Sequence, residues 1–192
     1  LHYTEWGAQH DQTVIAWHGL ARTGRDMDDM ATHLAQRYRV ICPDTIGRGL
    51  SEWSPLPEKE YCLAFYTKLA AALFDQLGID QAYWLGTSMG GAIGLHAAAG
   101  VLKGRIRRLI LNDIGPHIPV GRRRRRSQTL ARHYVFRDPA DMLRRVGASQ
   151  KNDGPVADDI RFNLTFHQTR WSDEENGRIY RHDVRALQAY RR

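Results

Sequence analysis

Residues 82–100 constrain the fold more than any other stretch of this sequence. A short apolar run, Ala82-Tyr83-Trp84-Leu85, leads into Gly86-Thr87-Ser88-Met89-Gly90-Gly91, and an alanine- and glycine-rich run follows. This order predicts a strand, a sharp turn and a helix, with a serine at the tip of the turn. Glycines on both sides of the serine remove Cβ atoms that would collide in so tight a bend. The spacing G-x-S-x-G in this context is typical of a nucleophilic serine, so Ser88 is the candidate nucleophile.

The same stretch permits a second interpretation as a membrane helix. Tyr83 to Leu102 contains no Asp, Glu, Lys or Arg, and Gly86, Gly90 and Gly94 repeat at the G-x-x-x-G spacing of helix dimers. Its five glycines, its polar side chains and its strand-like start favour the strand–turn–helix instead.

Further short apolar runs predict strands at 13–17, 39–43 and 106–111, with helical patterns between them. In the helix predicted at 61–77, the side chains expected to face inward are Phe65, Leu69, Ala72, Leu73 and Leu77. Strands that alternate with single helices predict a parallel sheet with right-handed crossovers. Functional groups collect at the carboxyl ends of such strands, so the loops at 18–24, 44–51, 86–91 and 112–117 are expected to share one edge.

The pattern changes after Pro116. Residues 117–169 contain helix-like patches at 127–136, 140–146 and 157–168, but no apolar run that predicts a strand. Ser172-Asp173-Glu174-Glu175 fits either a helix start or a turn that leads into Asn176-Gly177. The sequence therefore predicts a core portion at 1–116, a helical cap at 117–185 and the start of a return to the core at 186–192.

Four motifs in a fixed order resemble the α/β-hydrolase superfamily, and more narrowly its bacterial, cap-bearing serine hydrolases. They are His18-Gly19-Leu20, Pro43-Asp44 with Gly47-Arg48-Gly49-Leu50-Ser51, Gly86 to Gly91, and Leu111-Asn112-Asp113-Ile114-Gly115-Pro116. The resemblance covers residues 1 to about 117. It implies an α/β fold with a mostly parallel sheet, helices on both faces and a helical cap insertion.

The resemblance also implies roles for individual residues. Ser88 would attack a carbonyl carbon, and the backbone N–H groups of Met89 and Leu20 would form the oxyanion hole. His18, by contrast, is expected to bond to nearby loop backbone rather than act as a base, and Asp44 and Ser51 to tie their own loop together. The expected substrates are a small ester, a lactone or a 1,3-diketone-like compound cleaved at a C–C bond. Cofactor-free haloperoxidase activity is a related alternative. No cofactor and no metal ion are expected.

The sequence departs from the family pattern in its catalytic base. The expected order is Ser, then Asp or Glu, then His, with the last two after strands that follow the cap. No such strands are visible here, so the sequence predicts that C-terminal strands are missing and that these 192 residues alone are inactive. Asp113, at the end of a strand, is a candidate triad acid or a loop-fixing residue. Among the histidines that remain, His117 is the least unsuitable base.

Charge is distributed unevenly. Residues 1–100 carry 7 Lys/Arg and 11 Asp/Glu, whereas residues 101–192 carry 21 and 10. The run Arg122 to Arg126 is interpreted as a solvated helix edge rather than a nucleic-acid site, because no aromatic platform accompanies it. Arg22, in the first loop, is a candidate ligand for a substrate carboxylate.

The expected partner is therefore a small, acidic molecule rather than a membrane or a nucleic acid. The alternative from a different class is a non-catalytic protein on this fold that binds an acidic ligand or nucleic acid. Cys42 and Cys62 have no metal-ligand spacing, and no apolar signal segment opens the sequence, so a cytoplasmic location is expected.

Overall fold

A computed structural model describes residues 1–115, 121, 130–147 and 154–189, and all statements below concern these residues. Its main sheet has five strands in the order β1-β3-β2-β4-β5. Strand β1 runs antiparallel to β3, and the other neighbours are parallel. The strands are β1 (Tyr3–Trp6), β2 (Thr13–Trp17), β3 (Arg39–Pro43), β4 (Ala82–Thr87) and β5 (Ile106–Asn112). The predicted mostly parallel sheet is confirmed.

Helices cover both faces of this sheet. A 3-10 turn (Gly24–Met27) and helix α1 (Asp28–Leu34) follow β2, the short helix α2 (Pro57–Glu60) and helix α3 (Leu63–Gln76) follow β3, and helix α4 (Met89–Ala99) follows β4. Alternate side chains of β2 point to opposite faces. Ile15 and Trp17 join the cluster that contains residues of α3 and α4, whereas Val14 and Ala16 pack with α1. The predicted helices on both faces are thus confirmed.

The buried face of α3 differs in phase from the prediction. Its buried side chains are Tyr66, Thr67, Ala70, Leu73 and Phe74. Ala72, expected to face inward, is exposed. The prediction was wrong here because Tyr66 and Thr67 carry hydroxyl groups and were not counted as core residues. The Tyr66 hydroxyl is satisfied inside the core by the Arg48 guanidinium, which makes its burial possible.

The segment predicted to be a cap, residues 117–185, is called the cap below, and its described part contains strands as well as helices. Helices α5 (Pro139–Gly147) and α6 (Asp158–His167) confirm the helical patches predicted at 140–146 and 157–168. A three-stranded antiparallel sheet, in the order β6-β8-β7, was not predicted, and the helical patch predicted at 127–136 was wrong at its end, where residues 135–136 form a strand. Its strands are β6 (Val135–Phe136), β7 (Thr169–Ser172) and β8 (Gly177–Tyr180). They are two to four residues long and carry no apolar run, so the sequence pattern does not indicate them.

The turn between β7 and β8 decides between the two interpretations of 172–177. Asn176 has a positive φ of 46° directly before Gly177, where β8 begins. This is a hairpin turn, not a helix start. Phe136 and Tyr180 meet edge to face across the small sheet at 5.4 Å, and Phe136, Met142 and Val146 form a separate core beneath it.

After β8 the chain returns to the main core. The Asp183 N–H donates to the Gly47 carbonyl, and Ala186 and Leu187, in helix α7 (Val184–Ala189), belong to the main cluster. Pro116, His117 and the run Arg122 to Arg126 lie outside the described residues. Within the described part of the chain, no helix is long and apolar enough to cross a membrane.

Candidate active site

Ser88 stands at the tip of the turn between β4 and α4. Its backbone has φ 49° and ψ −110°, a conformation that a residue with a Cβ rarely adopts. The Ser88 N–H donates to the Asn112 carbonyl at 2.8 Å, and its own carbonyl accepts from the Ala92 N–H at 3.0 Å. Its side chain does not cap the helix. The hydroxyl is therefore left available at the carboxyl edge of the sheet.

Close backbone packing holds this turn in place. A Cβ at Gly90 would overlap the Trp17 carbonyl and lie 2.9 Å from the His18 carbonyl oxygen. A Cβ at Gly86 would collide with the Gly90 carbonyl. The two glycines of the G-x-S-x-G pattern are thus required by contact with neighbouring backbone, and these contacts fix the strained conformation of Ser88.

The loop after β2 lies directly beside the serine. A Cβ built at Gly19 would be 3.8 Å from the Ser88 Cβ and 3.9 Å from the Thr87 carbonyl oxygen. The N–H groups of Leu20 and Met89 donate to no acceptor among the described residues. The structure therefore brings together Ser88, Leu20 and Met89, the three residues expected to form the reaction centre.

His18 orients this loop and is held in one neutral tautomer. Its Nδ1 donates to the Gly19 carbonyl at 2.7 Å, and its Nε2 accepts from the Thr45 N–H at 2.9 Å. Complete burial, which outweighs the attraction of Asp44, lowers the pKa of His18 to about 4. Both ring nitrogens are engaged, so His18 is a structural residue of the loop, as predicted. Because the C=O and N–H of a trans peptide point in opposite directions, fixing the Gly19 carbonyl also fixes the Leu20 N–H.

Asp44 ties the first two loops together. Its carboxylate accepts from the N–H groups of Gly24 at 2.6 Å and Leu50 at 2.9 Å. Ser51 donates from its hydroxyl to the Asp44 carbonyl at 2.6 Å, and His2 donates to the same carboxylate. This confirms the predicted loop-fixing role of Asp44 and Ser51, and it explains why the first and second loops meet at one edge.

Arg48 is a feature whose partners the sequence did not reveal. Its side chain is completely buried, and its guanidinium donates to the Leu20 and Ile46 carbonyls and to the Tyr66 hydroxyl. Arg48 forms no ion pair with a carboxylate among the described residues.

Asp113 and Arg22 occupy different positions around the serine. Asp113 follows β5 with a positive φ of 54° and an exposed side chain. Arg22 is close to the Gly19 backbone, since a Cβ at Gly19 would lie 3.7 Å from its Cγ, and it forms a 3.4 Å ion pair with Asp26. Gln168, directly after α6, donates to the same Asp26 carboxylate at 3.1 Å. Arg22 therefore lies between the serine loop and the cap.

None of the histidine hydrogen bonds in the described part of the chain involves the Ser88 hydroxyl. No group of three or more potential metal ligands occurs among these residues. A cleft of about 240 Å³ lies between Trp53 and the cap residues Tyr134 and Tyr180. Ser88, Leu20 and Met89 do not line it, so this cleft is separate from the candidate reaction centre.

Comparison with known proteins identifies the family of this chain. A family profile described as "alpha/beta hydrolase fold" matches residues 12–189, and the chain belongs to this family. A 3-hydroxybutyrate-oligomer hydrolase from Cupriavidus necator is 43% identical over 117 residues, which are 60% of this chain and 39% of that protein. A 2-hydroxymuconate semialdehyde hydrolase from Pseudomonas putida is 39% identical over 87 residues, 45% of this chain and 30% of that protein.

A solved structure extends the likeness across the cap. A protein from Rickettsia typhi, described as a candidate hydrolase, superposes with a TM-score of 0.89 at 28% identity. The match covers 97% of this chain and 65% of that one. The chain thus spans less than two thirds of the length of these relatives, and nearly all of it shares the fold of the Rickettsia typhi protein.

Proposed function

We propose that this protein is a serine hydrolase that cleaves a small, carboxylate-bearing ester without a cofactor. The observation that carries the proposal is the strained, glycine-enclosed turn that presents Ser88 beside two backbone N–H groups, which donate to no acceptor among the residues that the structure describes. Strain of this kind costs of order 1–3 kcal/mol and persists where the surrounding structure fixes it, commonly at reaction centres.

In the proposed reaction the Ser88 Oγ attacks the ester carbonyl carbon while a base takes its proton. The carbonyl electron pair moves to the oxygen, and the N–H groups of Leu20 and Met89 stabilise the negative charge that forms there. Loss of one such donor typically costs about 10²–10³ in rate. Asp113 is a candidate triad acid in this scheme, because the chain places it one residue beyond the carbonyl that holds the Ser88 N–H.

An ester is favoured over a lactone, a C–C bond or haloperoxidase chemistry by one relative. The 43%-identical protein is named for 3-hydroxybutyrate oligomers, which are linear esters that end in a carboxylate. Arg22 beside the Gly19 backbone supplies a cation at the required place, and its side chain is 33% exposed although it pairs with Asp26. A guanidinium binds a carboxylate through two parallel hydrogen bonds.

The nucleophile is tested by labelling of the purified full-length protein with a fluorophosphonate. We expect one adduct on Ser88, located by peptide mass spectrometry, and none in Ser88→Ala. Ser54→Ala provides the control, because Ser54 is a buried serine in the loop before α2. If wild-type protein is not labelled and binds DNA in a salt-dependent manner, the non-catalytic alternative replaces the hydrolase.

The substrate class is tested by Arg22→Ala. The KM for esters that carry a carboxylate should rise about tenfold or more, as expected for loss of a charged hydrogen bond, while KM for neutral esters stays unchanged. An equal effect on both ester classes contradicts the carboxylate assignment but leaves the serine hydrolase intact.

We also propose that residues 1–192 alone lack the base. Turnover of an activated ester by this chain at the full-length rate would reject that view.

A further inference from the structure

Arg48 is a buried cation without an ion pair in the described part of the chain. Its side chain has an exposed fraction of 0%. Removal of a charge from water is costly unless it is paired or fully hydrogen-bonded, so a buried arginine without a carboxylate calls for a physical reason.

The contacts of Arg48 supply one. Its Nε donates to the Leu20 carbonyl at 3.1 Å, and its Nη2 lies 3.7 Å from the Met89 sulfur. Leu20 and Met89 are the two residues whose N–H groups form the proposed oxyanion hole. A single guanidinium therefore contacts both the loop after β2 and the first residue of α4.

The other side of the guanidinium is fixed by neutral groups. Nη1 donates to the Ile46 carbonyl and to the Tyr66 hydroxyl, both at 2.9 Å. The rings of Tyr66 and Tyr61 lie 5.4 and 5.8 Å from the guanidinium carbon. These partners orient the cation but leave its charge unneutralised, and in a dry interior that charge acts over a longer distance than in water.

We propose that Arg48 is a positioning residue for the oxyanion hole. Its side chain fixes the relative positions of Leu20 and Met89 and adds positive electrostatic potential near their N–H groups. The inference rests on the proposed serine hydrolase function. Its benefit appears only when negative charge forms on the substrate oxygen, because a neutral ester gains little from the potential. Arg48 should therefore act on kcat and on affinity for transition-state analogues, with little effect on KM.

The experiment compares Arg48→Met and Arg48→Lys in the full-length protein with a neutral activated ester and a trifluoromethyl ketone. The ketone adds to the serine and forms a stable oxyanion, so its inhibition constant reports on the hole itself. For Arg48→Met we expect kcat to fall about 10- to 100-fold, somewhat less than loss of a direct donor, with KM within twofold. The ketone should lose affinity by the same factor, and Arg48→Lys should recover part of both losses.

Arg105→Met is the matched control. Arg105 also faces an aromatic ring, Phe74 at 5.2 Å, and is paired with Asp75 at 2.6 Å, away from the serine loops. It should reduce stability without a change in kcat or ketone affinity. Wild-type kcat and ketone affinity in Arg48→Met, or equal losses in Arg105→Met, would overturn the proposal.

A second variant covers the case in which Arg48→Met does not fold. Tyr66→Phe removes one acceptor of Nη1 and retains the cation and the ring. It should lower kcat and ketone affinity by the same few-fold factor, and a purely structural role of Arg48 predicts no change in either. Absence of Ser88 labelling in the wild-type protein would instead contradict the proposed function, which separates the two failures.

Discussion

The edge of the core around Ser88, called the core edge below, and the cap are stabilised by different kinds of contact. Around Ser88, backbone packs against backbone, as where Gly90 meets the carbonyls of Trp17 and His18. In the cap, long side chains satisfy the backbone: Arg178 donates to the carbonyls of Phe166 and Thr169, and Arg181 donates to the Thr169 carbonyl as well.

This difference has a functional meaning. Direct backbone contact leaves almost no positional freedom, which suits atoms that must stabilise a forming charge. Arginine side chains bridge longer distances and have more rotatable bonds. This difference supports the proposed function, because the atoms proposed to perform the reaction lie in the more tightly packed region.

The largest expected effect tests whether the core edge is as tightly packed as described. Gly90→Ala places a Cβ against the Trp17 carbonyl, so we expect a loss of about 3 kcal/mol or more in the free energy of unfolding. Gly78→Ala is the control: Gly78 has φ 64° but no atom within 4 Å of a built Cβ, so it should lose only about 1 kcal/mol of backbone strain. Urea denaturation measures both, and equal losses would mean that conformation rather than contact requires Gly90.

An effect of intermediate size compares two buried histidines. Burial lowers the pKa of His18, in the core, and of His182, where the cap returns, to about 4 each. Below pH 6.5 the unfolded chain binds a proton that the native protein does not. Each histidine therefore contributes stability that is complete above pH 6.5 and is lost as the pH falls towards 4. Between pH 7 and 5 the loss should be about 2 kcal/mol for each histidine.

The variants His18→Gln and His182→Gln assign this pH dependence. Each should remove its own share of the difference in unfolding free energy between pH 7 and pH 5, whatever its effect on stability at pH 7. If only His182→Gln reduces the difference in unfolding free energy between pH 7 and pH 5, then His18 becomes protonated in the native protein. The core edge would then be less tightly packed than the structure shows.

The smallest effect concerns the contact between core and cap. The Gln168 side chain, at the end of α6, donates to the Asp26 carboxylate at 3.1 Å. The same carboxylate pairs with Arg22. Gln168→Ala should destabilise the cap by about 1 kcal/mol, as expected for one hydrogen bond. Hydrogen exchange should quicken in β7 and β8 but not in β4, while Gln76→Ala, on the exposed face of α3, should change neither. Faster exchange in β4 would show that core and cap open together.

The sequence predicted the core edge well because its signals are local. Glycines around Ser88 have only one steric explanation in a strand–turn–helix, and the four loops converge as the topology of a parallel sheet requires. The burial of Arg48 was out of reach, because its partners Leu20, Tyr66 and Met89 are 18 to 41 residues away in the chain.

The cap was predicted less completely for the opposite reason. Strands β7 and β8 have the sequences TRWS and GRIY, which place an arginine in each strand. Their stability comes from tertiary contacts, such as the Arg178 guanidinium 4.3 Å from the Phe166 ring, which no local pattern encodes. The assignments of Asp113 and Arg22 remain predictions for a similar reason, because a role in binding or proton transfer depends on what approaches them.

The hydrogen bond from the Ser88 N–H to the Asn112 carbonyl connects the turn after β4 to the end of β5. The turn after β4 therefore depends on β5 as well, because the Ser88 N–H is bound to Asn112, the last residue of β5. A shift of β5 along β4 would therefore displace the Ser88 backbone, and with it the proposed nucleophile, without any substitution at residue 88.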